Sequence, residues 1–310
     1  MTIENKIGFL TNCLSVPFEE KIEIASRLRF ETMEVACWPT GHPKQCDINA
    51  DSYDPNTIKN IKNKLFDGNV SISCLAYYDN ILDKEINKRR KNIIHLKNVI
   101  RLAHKLNVPY VGTYIGKNTM ISMNDNFILA KDIFEPILEY AEVLGVNVLI
   151  ENCPMPSWNT EGYPSTITYS PELIKKLFEI LPNKNFGLNF DPSHMYWMGI
   201  DYLKFAREFS NRIFSVHVKD VRSDKYRFNR VGLYGKKTNK KHQFDFGYYS
   251  TVQPGYGDID WPKLLKILRL KGFNGPLEVE YAREAGQNEL EIKSLNESNK
   301  YLHQIVELGM

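Results

Sequence analysis

Residues 186–220 read FGLNFDPSHMYWMGIDYLKFAREFSNRIFSVHVKD, and this stretch holds the repeating unit of the fold. A short apolar run at Phe186–Asp191 gives way to a turn, then to an amphipathic segment at Tyr202–Phe209, then to a second short run at Ile213–Val218. Short runs rich in aromatic and β-branched side chains suit strands, and apolar residues recurring every three or four positions suit a helix. Each run carries an ionisable side chain near its far end, Asp191 in the first and His217 in the second.

The same alternation extends in both directions. Strands are expected at Ile7–Asn12, Met33–Cys37, Val70–Tyr77, Pro109–Ile115 and Val146–Glu151 before this unit, and at Pro276–Tyr281 after it. Between them, Ile22, Ile24, Ala25 and Leu28 form one helical stripe, and RKNIIHLKNVIRLAHKL (90–106) forms another. Further helices are expected at Phe127–Leu144, Pro171–Leu181, Trp261–Leu270 and Asn288–Leu308, the second of these opened by a Ser170 cap and a first-turn proline. Eight strand–helix alternations without a shift in composition predict a (β/α)8 TIM barrel, an α/β fold of one domain spanning 1–310. An open doubly wound sheet would place a glycine-rich turn after its first strand, and none follows Asn12. One segment breaks the rhythm: the basic, aromatic insertion 222–254 after strand seven is too long for an ordinary connection. It reads either as a solvated excursion or as a lid over the open end of the barrel.

Composition narrows the partners. A net charge of +3 in 310 residues gives no reason to expect a nucleic acid or an anionic membrane as partner. Five cysteines, an odd number without CxxC spacing, argue against a disulfide framework and a zinc ribbon. Cys37, Cys74 and Cys153 lie in or just after apolar runs, where a thiol packs as a small hydrophobe. MTIENKIGFLTN lacks the apolar stretch of a signal peptide, and no run approaches the ~20 residues of a membrane span. The expectation is a reduced, cytoplasmic, soluble protein.

A charge inside a barrel strand is costly unless paired, so ionisable side chains belong at the mouth, where the C-terminal strand ends carry the chemistry of this fold. The last four strands each end on one: Glu151, Asp191, His217 and Glu280. Three converging carboxylates repel one another, and a single divalent cation resolves the conflict. Oxygen donors with one imidazole suit Mn²⁺ or Mg²⁺ best, then Zn²⁺, Co²⁺ or Fe²⁺. Glu278 shares a strand face with Glu280 but lies deeper, so Glu280 is taken as the ligand. His194, Lys219, Asn152, Trp38 and His42 fall near the same end and are expected to touch substrate, while His95, His104, His242 and His303 are expected to be packed or solvated.

Six segments, by their order and spacing, resemble the xylose isomerase-like barrel superfamily and within it the sugar phosphate isomerase/epimerase group. They are GFLTNCL (8–14), EVACWP (34–39), IENCPM (150–155), NFDPSHMYWMGID (189–201), FSVHVKD (214–220) and PGYGDIDW (254–261), and the resemblance covers essentially the whole chain. It implies metal ligation by Glu151, Asp191, His217 and Glu280, with His194 of the DPSH segment beside the substrate. The chain departs from many relatives after strand eight, where Val279-Glu280-Tyr281-Ala282-Arg283 replaces I-E-H-E-D, so substrate preference can differ. The multi-zinc endonucleases of the superfamily need further histidines; strand three here ends CLAYY, strand four GTYIG, and GDIDW carries none.

The function expected is a metal-dependent isomerase or epimerase acting on a small-molecule sugar or sugar phosphate by proton transfer through an enediolate. Glu151 and Glu280 are the expected catalytic bases. An inosose-type dehydratase using the same site is the alternative, with an endonuclease-like phosphodiesterase or a non-catalytic sugar-binding barrel behind it. Homo-oligomerisation is left open by the sequence.

Overall fold

Parallel strands β1 (Ile7–Leu10), β2 (Thr32–Ala36), β3 (Ser71–Tyr77), β4 (Tyr110–Thr113), β5 (Asn147–Glu151), β6 (Phe186–Phe190) and β7 (Ile213–Val218) run in sequence order around a cylinder. Two short strands, β8 (Asp220–Ser223) and β9 (Tyr249–Val252), stand apart as an antiparallel pair, and β10 (Leu277–Val279) closes the barrel between β7 and β1. This computed structural model describes residues 5–42, 45–155, 164–233, 247–281 and 286–308. His242, Ala282 and Arg283 therefore lie outside the described residues, as does the centre of the insertion, 234–246.

The helices α1 (Phe18–Arg27), α2 (Pro55–Asp67), α3 (Ile86–Leu106), α4 (Met123–Val143) and α5 (Pro171–Ile180) follow the first five strands. After β6 come α6 (Pro192–Trp197) and α7 (Tyr202–Glu208), after β8 comes α8 (Lys225–Val231), and α9 (Trp261–Leu270) and α10 (Asn288–Leu308) complete the outer layer. The eightfold alternation is thus the TIM barrel that the sequence predicts. Sequence reading passes over α2, because its Asn- and Lys-rich surface buries only Leu65; the Asp54 cap on Thr57 N and the proline at its first turn define it instead. Strands one, four and eight are shorter than expected, as their last residues leave the ladder to shape the mouth.

The two ends of the insertion pair as β8 and β9, and Asp220 anchors them. Its buried carboxylate accepts from Val221 N, Gly255 N, Gly257 N, Ile259 N and the Trp261 indole at 2.8–3.2 Å. A Cβ on Gly257 would collide with that carboxylate, which accounts for the glycine in the PGYGDIDW segment. Asp220→Ala would leave these donors buried without an acceptor, at about 1–3 kcal/mol for each one that water cannot reach. The expected outcome is a loss of ~3 kcal/mol or more, read as a lowered melting temperature in thermal denaturation. An unchanged melting temperature would mean that the loop is held by other contacts.

Candidate metal centre at the barrel mouth

Strands β5, β6, β7 and β10 are consecutive neighbours in the cylinder, so the residues at their C-terminal ends face one axis. One donor atom each from Glu151, Asp191, His217 and Glu280 lies within 4.8 Å of all the others. His217 Nδ1 stands 3.2 Å from Glu151 Oε1 and 3.1 Å from Glu280 Oε2. Adjacent ligands held ~2.1 Å from one octahedral ion are separated by about 3 Å, a spacing that the His217–Glu151 and His217–Glu280 pairs match. Glu151, Asp191 and His217 are buried, whereas the Glu280 side chain keeps 25% of its surface exposed toward the opening.

The Lys219 ammonium lies among the three carboxylates, 2.7 Å from Asp191 Oδ2, 2.7 Å from Glu280 Oε2 and 3.7 Å from Glu151 Oε1. Burial, the largest single influence, would raise the Glu151 and Glu280 carboxyls, but Lys219 and His217 together, joined by His194 at Glu151, hold both below the usual carboxylate range, Glu151 well below. Burial disfavours the charged form of Lys219 itself, yet Asp191, Glu280 and Glu151 keep it firmly protonated.

His194, near the start of α6, places Nε2 3.2 Å from Asp191 Oδ2 and 3.4 Å from Glu151 Oε1. Burial opposes its charge, but the neighbouring Cys153 thiol and Asp191 win, and its imidazole is pushed up to about 10. The Trp197 indole nitrogen lies 3.4 Å from His194 Nδ1, and Tyr249 from β9 stacks on Trp197 at 4.6 Å with 11° between the rings. One end of the insertion therefore lies against the rim of the site. Cys153, expected from the sequence to pack as a small hydrophobe, joins Glu151 and His194 in a second buried donor grouping within 4.8 Å.

Three of the expected substrate contacts lie apart from this cluster. The Asn152 amide is committed to the backbone of Asp191, donating to its carbonyl and accepting from its N–H at 2.8 Å each. Trp38 is packed edge-on against Tyr77, with its ring centroid 6.2 Å from that of Tyr78. His42 lies 3.8 Å from Asp79, between the loops that follow β2 and β3. Glu278 sits lower in the barrel, accepting from Thr32 and Ser73 hydroxyls at 2.7 and 2.5 Å, and burial pushes its carboxyl up to about 7.

Sequence reading missed Glu34, Tyr78 and Asn189, which form a hydrogen-bonded layer directly beneath His217. The available signal was Glu34 itself, a carboxylate in the middle of the apolar strand TMEVA.

The chain is thus a closed parallel TIM barrel that gathers oxygen and imidazole donors at its C-terminal mouth. The chain belongs to the xylose isomerase-like TIM barrel family, whose profile matches residues 22–301. It is 25% identical over 294 residues to the uncharacterized protein YfiH of Bacillus subtilis strain 168, covering 89% of this chain and 92% of that one. It is 33% identical to an inosose dehydratase of Clostridium perfringens over 116 residues, 37% of each chain. An inosose isomerase of Halalkalibacterium halodurans is 22% identical over 218 residues, 69% of this chain and 66% of that one. Among solved structures, the IolI protein with a bound zinc atom superposes with a TM-score of 0.74 at 17% identity, covering 98% of this chain and 99% of that one.

Proposed function

We propose that the protein is an isomerase or epimerase of a small polyhydroxy carbonyl compound, dependent on one divalent ion held by Glu151, Asp191, His217 and Glu280. The observation that carries this reading is the convergence of these four donors within 4.8 Å at the open end of the barrel. Bound there, the ion would supply Lewis-acid stabilisation of the oxyanion that develops as a proton leaves the carbon α to a carbonyl. The oxygen-rich donor set suits Mn²⁺ or Mg²⁺, and the zinc of the IolI structure makes Zn²⁺ a further candidate.

In this reading Glu280, the most exposed of the four, takes the α proton, and Glu151 on the neighbouring side of His217 returns one. Lys219 and His217 keep both carboxylates ionised, and Lys219 offers donors to the substrate's oxygens. His194, charged and close to Asp191 and Glu151, orients a hydroxyl or oxyanion at the same rim.

The similarity to inosose dehydratases favours a second reading, in which the same proton abstraction is followed by loss of a β-hydroxyl. Turnover in D₂O of a panel of inososes, ketoses and ketose phosphates, followed by NMR, separates the two. Deuterium entering the α carbon without loss of water is the expected outcome. Deuterium entry with loss of water would assign the dehydratase, and no conversion of any panel member would sink the proposal for this class of substrate.

A further inference from the structure

Glu34 lies on β2, across the barrel from His217, with none of its surface exposed. Its carboxylate accepts from three directions. The Tyr78 hydroxyl donates to Oε1 at 2.5 Å, the Asn189 amide donates to Oε2 at 3.1 Å, and His217 Nε2 approaches Oε2 at 2.9 Å. A barrel core seldom spends a charged side chain and three polar partners where apolar packing would serve, because each group must be fully satisfied to avoid a net cost.

A count of protons fixes how the layer is wired. The Asn189 amide must turn its NH₂ toward Glu34, since its oxygen would otherwise face a carboxylate. Its NH₂ lies 3.1 Å from Glu34 Oε2, 2.7 Å from the Tyr78 oxygen and 2.8 Å from His217 Nε2. The Tyr78 O–H is used on Glu34, and burial beside that carboxylate holds the phenol protonated, well above its usual range. An imidazole nitrogen and a carboxylate oxygen 2.9 Å apart need a hydrogen between them, and the Glu34 carboxylate has none to give. Nε2 must then carry the proton itself and give it to Glu34. Space for this layer comes from Gly112 on β4, where a Cβ would collide with the Tyr78 hydroxyl.

We infer that Glu34 is a positioning residue that holds a proton on His217 Nε2, so that Nδ1, which faces Glu151 and Glu280, is the nitrogen that binds the ion. The inference rests on the metal-centre reading above, and it adds which nitrogen binds and which side chain dictates that choice. A partner on the second ring nitrogen of a ligating histidine sets its tautomer and orientation and is commonly worth 10–100-fold in metal affinity.

Two measurements test this. In the Zn²⁺-loaded wild-type protein, long-range ¹H–¹⁵N NMR of labelled histidines should show His217 ligating through Nδ1 with a proton on Nε2. Ligation through Nε2 would overturn the inference without any variant being made. In the second, Glu34→Gln is titrated with Zn²⁺ against a competing chelator, beside the wild type and Asp191→Asn. Glu34→Gln should bind Zn²⁺ about 10–100-fold more weakly. It should also lose or shift the Nε2–H resonance, which a role confined to core packing would leave in place.

Wild-type affinity in a folded Glu34→Gln protein, with Asp191→Asn impaired, would overturn the role of Glu34 alone. Should Glu34→Gln fail to fold, Tyr78→Phe takes its place: it removes one donor to Glu34 while keeping the ring, and a moved Nε2–H resonance is again expected. A wild-type protein that binds no Zn²⁺, Mn²⁺ or Mg²⁺ would overturn the metal centre and this inference together.

Discussion

Glu280→Gln is expected to reduce turnover by about 10²–10⁴-fold, the usual contribution of a general base, and by more where loss of a donor also loosens the ion. The substitution keeps the side chain's length and lets the amide oxygen still accept from Lys219, which lies 2.7 Å from Oε2. It removes the charge that Lys219 stabilises and the lone pair that would receive the proton. Lys219 and His217 together hold Glu280 ionised against the penalty of burial, so the wild-type base is ready at neutral pH without prior deprotonation. Steady-state kinetics with a substrate identified in D₂O, beside Glu278→Gln as a control, provide the check. Glu278 shares the strand but spends its carboxyl on Thr32 and Ser73 below the mouth, so its amide variant should retain most activity. A Glu280→Gln enzyme running at the wild-type rate would remove Glu280 from the chemistry, and loss in both variants alike would point to a general disturbance of β10.

How much of this could be read from the chain follows from what each residue depends on. Glu151, Asp191, His217 and Glu280 are legible because a strand's alternation and an energetic bar on buried charge are both local properties. Glu34 obeys the same alternation, but its meaning lies in partners 44 and 183 positions away, Tyr78 and His217, which no pattern within β2 reveals. Adjacency to Glu151 suggests a shared site for Asn152, but its amide is taken by the backbone of Asp191, just past the next strand. Trp38 and His42 follow a strand end, which places a residue near the mouth without saying which way it points. The polar helix α2 buries too little apolar surface to leave a stripe, so only its capping residues carry the signal.

Asp191→Asn should leave the fold in place and strip the ion from the centre. The two carboxylate oxygens of Asp191 do different work: Oδ1 accepts from Ser193 N at 2.8 Å and caps α6, whereas Oδ2 faces Lys219 at 2.7 Å and His194 at 3.2 Å. An asparagine can keep the cap only by placing its oxygen at Oδ1, because an NH₂ there would meet the Ser193 N–H. Its NH₂ then points into the cluster, where it offers no lone pair and opposes two other donors. The Asn152 clamp on the backbone of residue 191 is untouched by the change, so the strand end should hold its course. Because loss of an outer partner of a metal ligand already costs 10–100-fold, loss of a ligand itself should weaken binding by more than ~100-fold, and activity should fall with it. Circular dichroism would verify the fold, and chelator competition with Zn²⁺ or Mn²⁺ would measure the affinity. A folded Asp191→Asn protein that binds the ion as tightly as the wild type would take Asp191 out of the ligand set and leave Lys219 and His194 as the reason for its burial.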